Sequence, residues 1–310
     1  MLKIHFAPIQ GQTDYIYRQL HNAVAGGIDC YYTPFVRLEK NNLRNKDLRD
    51  ILKENNQNIK VIPQIICNGK EEFCRLCDLV EAQGWNEIDI NIGCPFPMQV
   101  HAKRGAGLLP HPELIEEIIK EIEQRKEVNF SIKMRSGLNN INEGKQIITM
   151  LNDVPIKQIT IHPRLGIQQY KGVANHEVFK ELAKLSQKPL IYNGDITTPE
   201  EIEILEQHFP NLAGVMIGRG LLSRPSLAKE YKEKRELSSK EQLSILLKIH
   251  DKIFAYIQQH YQGDSQILSR MQSFWEYAII DKKIFKRITK CGSLRNYREA
   301  IVMLDRDNAN

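Results

Sequence analysis

The sequence predicts an α/β fold: a (β/α)8 TIM barrel over residues 1–237, followed by a small all-helical domain over residues 238–310. Three observations predict it. Short apolar, β-branched runs alternate with segments of helical apolar spacing, as right-handed βαβ units require. The residues just past those runs are chemically distinctive, and a barrel gathers strand ends at one face. After Pro225 the strand signals stop and only helical periodicity remains.

The runs, in order, are Leu2–Phe6, Cys30–Val36, Lys60–Ile66, Glu87–Ile92, Val128–Met134, Gln158–Ile161, Pro189–Tyr192 and Gly214–Ile217. Eight units of about thirty residues each suit a closed barrel better than a doubly wound sheet. Between them, Thr13–Ala25 reads as a helix with Thr13 as N-cap and Gly26-Gly27 as its left-handed stop. Glu71–Ala82 is a second helix. Pro112–Arg125 is a third, with Leu114, Ile115, Ile118, Ile119 and Ile122 on one face. Beyond the barrel, Ser238–Tyr261, Gln266–Ile280 and Lys282–Leu304 read as helices, with Gly263 and Gly292 as interruptions.

At 310 residues, 42% hydrophobic and 26% charged, the composition is neither disordered nor collagen-like. No run approaches the roughly 18–20 apolar residues of a membrane span. The apolar run at the N-terminus is too short for an export signal. Six cysteines spread from Cys30 to Cys291 are too sparse for a disulfide scaffold, so reduced thiols in a cytoplasmic protein are expected. The net charge of +5 is uneven. The segment from Ser238 onward carries +4 of it, and Lys282–Arg298 holds seven basic residues and no acidic one. Such a run is either a solvated helix face or a surface for a polyanion.

There is no dinucleotide fingerprint: Gly105-Ala106-Gly107 lacks the third glycine, and no P-loop lysine follows a glycine cluster. Cys74-Arg75-Leu76-Cys77, with Cys67 before it, lacks a fourth ligand and lies in a helical pattern. Cysteine there packs as a small hydrophobe, and no metal site is expected. Asn91-Ile92-Gly93-Cys94-Pro95 differs, because it holds a thiol in a restrained loop at the functional face. The residues alone leave a nucleophile, a positioned acid and simple packing open.

That motif, followed by Gly105-Ala106-Gly107-Leu108-Leu109, resembles the signature of tRNA-dihydrouridine synthases. Ala7-Pro8-Ile9 with Thr13-Asp14, Pro63-Gln64-Ile65, Ile132-Lys133-Met134-Arg135, His162-Pro163-Arg164 with Tyr170, Asn193-Gly194-Asp195-Ile196 and Ile217-Gly218-Arg219-Gly220 resemble its other strand ends, in the right order. The resemblance runs from Ile4 to about Pro225, and the helical tail has the family's size and basic character.

The resemblance implies bound FMN, reduction by NADPH, and hydride transfer from the flavin to C6 of a uracil in tRNA. It places Ala7, Pro8 and Ile9 under the isoalloxazine, Gln64 and Lys133 at its polar edge, and His162 also at the cofactor. Asn193, Asp195, Gly218 and Arg219 fall around the ribityl chain and phosphate. A lysine at the polar edge stabilises the negative charge of reduced flavin. Cys94 is implied as the acid that protonates C5, a role needing a neutral thiol. Asn91 and Tyr170 are implied at the uracil. Arg270 resembles a recurring arginine of the family's RNA-binding helices, and Lys282, Lys283, Lys286, Arg287, Arg295 and Arg298 are expected on tRNA phosphates. Phe274 and Trp275 read as helix core. No obligate protein partner is implied.

The chain also departs from the family. Phe96-Pro97-Met98-Gln99 stands where a lysine is usual, and the loop to Gly105 is about two residues longer, with Lys103 or Arg104 as substitutes. Leu165 replaces a customary threonine after His162. Cys30–Arg37 looks most like the subgroup acting on position 16 of the D-loop. Two other readings stand beside this one. A small-molecule FMN oxidoreductase of the dihydroorotate or dihydropyrimidine dehydrogenase type leaves the basic tail idle. A non-catalytic RNA-binding barrel leaves Lys133 and Cys94 idle.

Overall fold

The computed structural model describes residues 1–278 and 282–307. Its strands are β1 (Lys3–Phe6), β2 (Cys30–Tyr32), β3 (Leu38–Glu39), β4 (Asn42–Leu43), β5 (Val61–Ile62), β6 (Gln64–Ile65), β7 (Glu87–Ile92), β8 (Asn129–Arg135), β9 (Ile156–His162), β10 (Leu190–Asn193) and β11 (Gly214–Ile217). Nine of these form one parallel sheet in the order β5-β2-β1-β11-β10-β9-β8-β7-β6. β5 and β6 are halves of a single strand broken at Pro63, which has no N–H for the ladder. Because those halves end the order, the sheet closes into an eight-position barrel. Asp89 donates its N–H to the Pro63 carbonyl at 2.9 Å, and Val36 bridges Ile65 across the break.

Helices Lys70–Glu81, Pro112–Gln124, Ile141–Leu151, His176–Ala183 and Pro199–His208 follow the barrel strands. Pro112–Gln124 buries Ile115, Ile118, Ile119 and Ile122, the face its spacing predicts. Cys67 and Cys77 are fully buried in the same core. The first helix corrects the sequence reading by one residue. It spans Tyr15–Val24 with Asp14, not Thr13, as N-cap, and the Asp14 carboxylate accepts the Tyr17 N–H at 2.9 Å. Thr13 instead accepts the Ile9 N–H at 2.9 Å and pins the turn after β1. Gly27, at φ +81°, packs where a Cβ would lie 2.5 Å from the Lys229 nitrogen.

The tail forms helices Ser239–His260, Asp264–Ala278, Lys282–Thr289 and Leu294–Asp307, the last two separated near Gly292. They share an apolar cluster around Met271, Trp275, Ile288 and Tyr297. At its centre the Tyr297 hydroxyl accepts the Trp275 indole N–H at 2.7 Å and lies 2.7 Å from His250 Nε2. Polar contacts tie this tail to the barrel: Gln12 donates to Ser273 at 3.0 Å, and the hydroxyls of Tyr15 and Tyr256 lie 3.1 Å apart. Among the described residues no helix is long and apolar enough to cross a membrane.

The β3–β4 hairpin and the helix Asn45–Ile51 lie outside the predicted elements. Lys40 and Asn41 turn the hairpin at φ +49° and +66°, the left-handed pair a two-residue loop needs.

Candidate active site

Strand register decides which side chains meet inside the barrel. Gln64 pairs Asp89, which pairs Ser131; one step toward the strand ends Asn91 pairs Lys133, which pairs Thr160. One step further Arg135 pairs His162. Residues two apart on a strand share a face, so these form successive rows rising to the barrel mouth. A cavity of about 1210 Å³ opens there, lined by residues from seven strand ends and their loops. Ala7, Pro8, Ile9, Asn91, Cys94, Lys133, His162, Tyr170, Asn193, Asp195, Gly218 and Arg219, all named from the sequence, line it together.

Cys94 is held from both sides. Its N–H donates to Asn91 Oδ1 at 2.9 Å, and its carbonyl accepts the Ala106 N–H at 3.0 Å. Gly105, at φ +58°, lies so close that a Cβ there would come 2.8 Å from the Cys94 Cβ. Burial raises the thiol pKa above its ordinary value, against smaller opposing effects from the Phe96 backbone, Lys133 and Arg135. The thiol is therefore protonated at neutral pH.

Asn91 spends its side chain on the loop. Oδ1 accepts from Gly93 at 3.0 Å as well as from Cys94, and Nδ2 donates to Gln64 Oε1 at 2.8 Å. Gln64 in turn donates to Asp89 at 2.7 Å, and Ser131 donates to the other Asp89 oxygen at 2.5 Å. Gln64 is thus fully buried beneath the cavity instead of lining it.

Lys133 makes no hydrogen bond or ion pair among the described residues, although it faces the cavity. Burial, and then Arg135, lower its pKa to about 8, with Asp89 and Cys94 acting the other way. Such an ammonium calls for an electron-rich partner. His162 lies beside it and accepts at Nε2 from Arg164 Nη1, 3.1 Å away, so its ring proton sits on Nδ1. Burial, then Lys133, Arg135, Arg164 and Arg219, hold its pKa well below the usual histidine range. The ring is neutral.

Asp195, at φ +47°, accepts from Arg164 at 2.9 and 2.5 Å, from the Ala174 N–H at 2.8 Å and from Arg219 at 3.2 Å. Its carboxylate links buried Arg164 to Arg219 at the rim. Arg219 lies 4.8 Å and Arg135 5.6 Å from the Tyr170 ring centre, so that exposed aromatic is flanked by two cations.

Several lining residues were not among the site residues named from the sequence. Phe35 and Arg37 follow β2, Arg44 and Lys46 lie around the start of the Asn45–Ile51 helix, and Tyr277 comes from the tail. Phe96 and Met98 line the mouth from the longer loop. Lys103 and Arg104, the expected substitutes in that loop, do not line it, and Arg104 is bound to Glu72 at 2.9 and 2.5 Å. Six cations border the cavity (Arg37, Arg44, Lys46, Lys133, Arg135 and Arg219) against the single carboxylate of Asp195 among the described lining residues. The near-neutral charge of residues 1–237 conceals a cationic mouth.

The sequence matches the family described as Dihydrouridine synthase (Dus) over residues 5–310. The chain belongs to the dihydrouridine synthase family. Among curated dihydrouridine synthases, the probable tRNA-dihydrouridine synthase 2 of Bacillus subtilis is 29% identical over 79% of this chain and 77% of its own length. The tRNA-dihydrouridine(16) synthase of Pseudomonas syringae is 28% identical over 74% of each. The tRNA-dihydrouridine(47) synthase [NAD(P)(+)]-like protein of Xenopus laevis is 32% identical over 60% of this chain, which spans only 29% of that relative. In fold the dihydrouridine synthase barrel is similar to a morphinone reductase variant, with a TM-score of 0.56 at 7% identity, covering 78% of this chain and 90% of that one.

The tail residues expected on RNA stand apart from the cavity. Arg270 is exposed and stacks 3.6 Å over the Tyr261 ring. Lys283, Lys286 and Arg287 are exposed on the Lys282–Thr289 helix. Lys282 opens that helix, but its side chain lies outside the described residues. Arg295 pairs with Glu299 at 3.2 Å, and Arg298 lies 5.7 Å from the Phe254 ring centre. Trp275 is fully buried and Phe274 packs partly buried against the same cluster.

Proposed function

We propose that this chain is a flavin-dependent tRNA-dihydrouridine synthase, reducing the C5–C6 double bond of a uridine in tRNA with FMN as cofactor and NADPH as donor. In this reading residues 1–237 form the FMN-binding catalytic domain and residues 238–310 the tRNA-binding domain. One observation carries the proposal: an uncharged thiol, Cys94, and an ammonium without a partner among the described residues, Lys133, line one cavity in a chain of this family.

The lining fits FMN. Ala7, Pro8, Ile9 and Met216 offer an apolar wall, Lys133 a cation for the polar edge, and Arg219 beside Gly218 a cationic rim for a phosphate. FMN, when bound, supplies the hydride that goes to C6 of the uracil. Lys133 holds negative charge at the polar edge, and neutral His162 can donate a hydrogen bond from Nδ1. Asn193, whose amide N–H already donates to the Met216 carbonyl at 2.7 Å, contributes its oxygen. Cys94 Sγ gives its proton to C5. Asn91 positions Cys94, and Gln64 positions Asn91. Tyr170, between its two arginines, flanks the uracil.

The test is NADPH oxidation by the FMN-loaded protein, stimulated by unmodified tRNA and not by dihydroorotate or free pyrimidines. Stimulation by a free pyrimidine instead would select the small-molecule reading, and absence of bound flavin would select the non-catalytic one. Mass spectrometry of RNA from a deletion strain locates the target, with position 16 expected from the Cys30–Arg37 stretch.

A further inference from the structure

Two large apolar side chains stand in solvent at the cavity mouth. Phe96 is 57% exposed and Met98 65% exposed, two and four residues past Cys94. Their backbone is fixed. Gln99 and Val100 donate their N–H groups to the Phe96 carbonyl at 2.8 and 3.0 Å, and Pro95 and Pro97 restrict the chain on either side. Gly107 packs against the short helix Pro97–His101, where a Cβ would come 2.6 Å from the Val100 carbonyl oxygen. Arg104, bound to Glu72, anchors the far end. Phe96 is therefore held outward by the loop.

The surroundings indicate what meets it. The same mouth carries Arg37, Lys46, Arg135 and Arg219, and an aromatic platform among cations matches the bases and phosphates of an unstacked polynucleotide. Taking a base out of its stack leaves its neighbours with an open face, and an apolar side chain that fills the gap offsets part of that cost.

We propose that Phe96, with Met98 beside it, is a wedge on which the bases flanking the extruded uridine stack while the uridine occupies the cavity. This rests on the RNA reading of the site.

The wedge is tested by Phe96→Trp in the FMN-loaded protein. The native Trp85 and Trp275 are 7% and 0% exposed, so iodide reaches chiefly the indole introduced at the loop. Unmodified tRNA transcript at saturation is expected to abolish that quenching. Phe96→Ala is expected to slow reoxidation of the reduced enzyme by tRNA about tenfold, the scale of removing one base–aromatic stack, with FMN affinity unchanged. Transcript that binds while iodide quenching persists overturns the wedge, as does a wild-type rate in Phe96→Ala. If the wild-type protein binds no transcript, the RNA reading falls and the wedge with it.

Discussion

Asn91 Oδ1 accepts the backbone N–H of Cys94 at 2.9 Å, so the penultimate residue of β7 sets the position of the thiol three residues on. A proton donor must sit within hydrogen-bond reach of the atom it protonates. Asn91→Ala is expected to lower the single-turnover rate with tRNA by about 10–100-fold, the scale of a misplacement near 1 Å. FMN affinity and tRNA KM should stay near wild type. A KM effect with unchanged kcat would mean that Asn91 contacts the base directly.

Cys94→Ala is expected to keep the yellow flavin and its reduction by NADPH but to lose about 10²–10⁴ in uridine reduction. The pH profile has a definite sign. The acid form is the active one, and burial raises the thiol pKa, so uridine reduction should hold through neutral pH and fall only in the alkaline range. Activity that rises with pH through that range would indicate a thiolate nucleophile instead.

Lys133 gives a different pH signature. With its pKa lowered to about 8, the free protein loses this cation as pH rises through that value. FMN affinity, measured by quenching of flavin fluorescence, should therefore weaken from pH 7 to 9. Lys133→Met should bind FMN more weakly and flatten the profile. An unchanged pH dependence in that variant would remove Lys133 from the polar edge.

The barrel was legible because eight strand runs keep their spacing and their distinctive ends, and even the break at Pro63 lies inside a predicted run. The site was legible where a motif residue faces the cavity, as Cys94, Lys133 and His162 do. Gln64 was expected at the polar edge beside Lys133 but sits one row deeper in the barrel. Its direction depends on hydrogen bonds to Asp89 and Asn91 that spacing does not encode. The cationic mouth was not legible, for a related reason. Arg37, Lys46, Arg135 and Arg219 come from separate segments, so no stretch of sequence looks basic. Tyr277 reaches the cavity from a tail helix that Gln12 ties to the barrel through Ser273 and Glu276, a long-range contact that spacing does not encode.

Two separate cationic surfaces predict two separable effects on tRNA. Lys286 and Lys290 are exposed on the tail, away from the cavity, whereas Arg37 and Lys46 border it. Each cation removed from a phosphate should reduce the slope of log affinity against log salt by about 0.7–0.9. Lys286→Gln with Lys290→Gln should therefore flatten the salt dependence by about 1.5 units while leaving the rate at saturating tRNA unchanged. Arg37→Gln with Lys46→Gln should flatten it comparably and also lower the saturated rate, because in the proposed reading the extruded nucleotide enters the cavity those cations border. Filter binding across a salt series, paired with single-turnover kinetics, separates the two. Equal losses of rate from both pairs would mean that tail and mouth hold the RNA as one continuous surface.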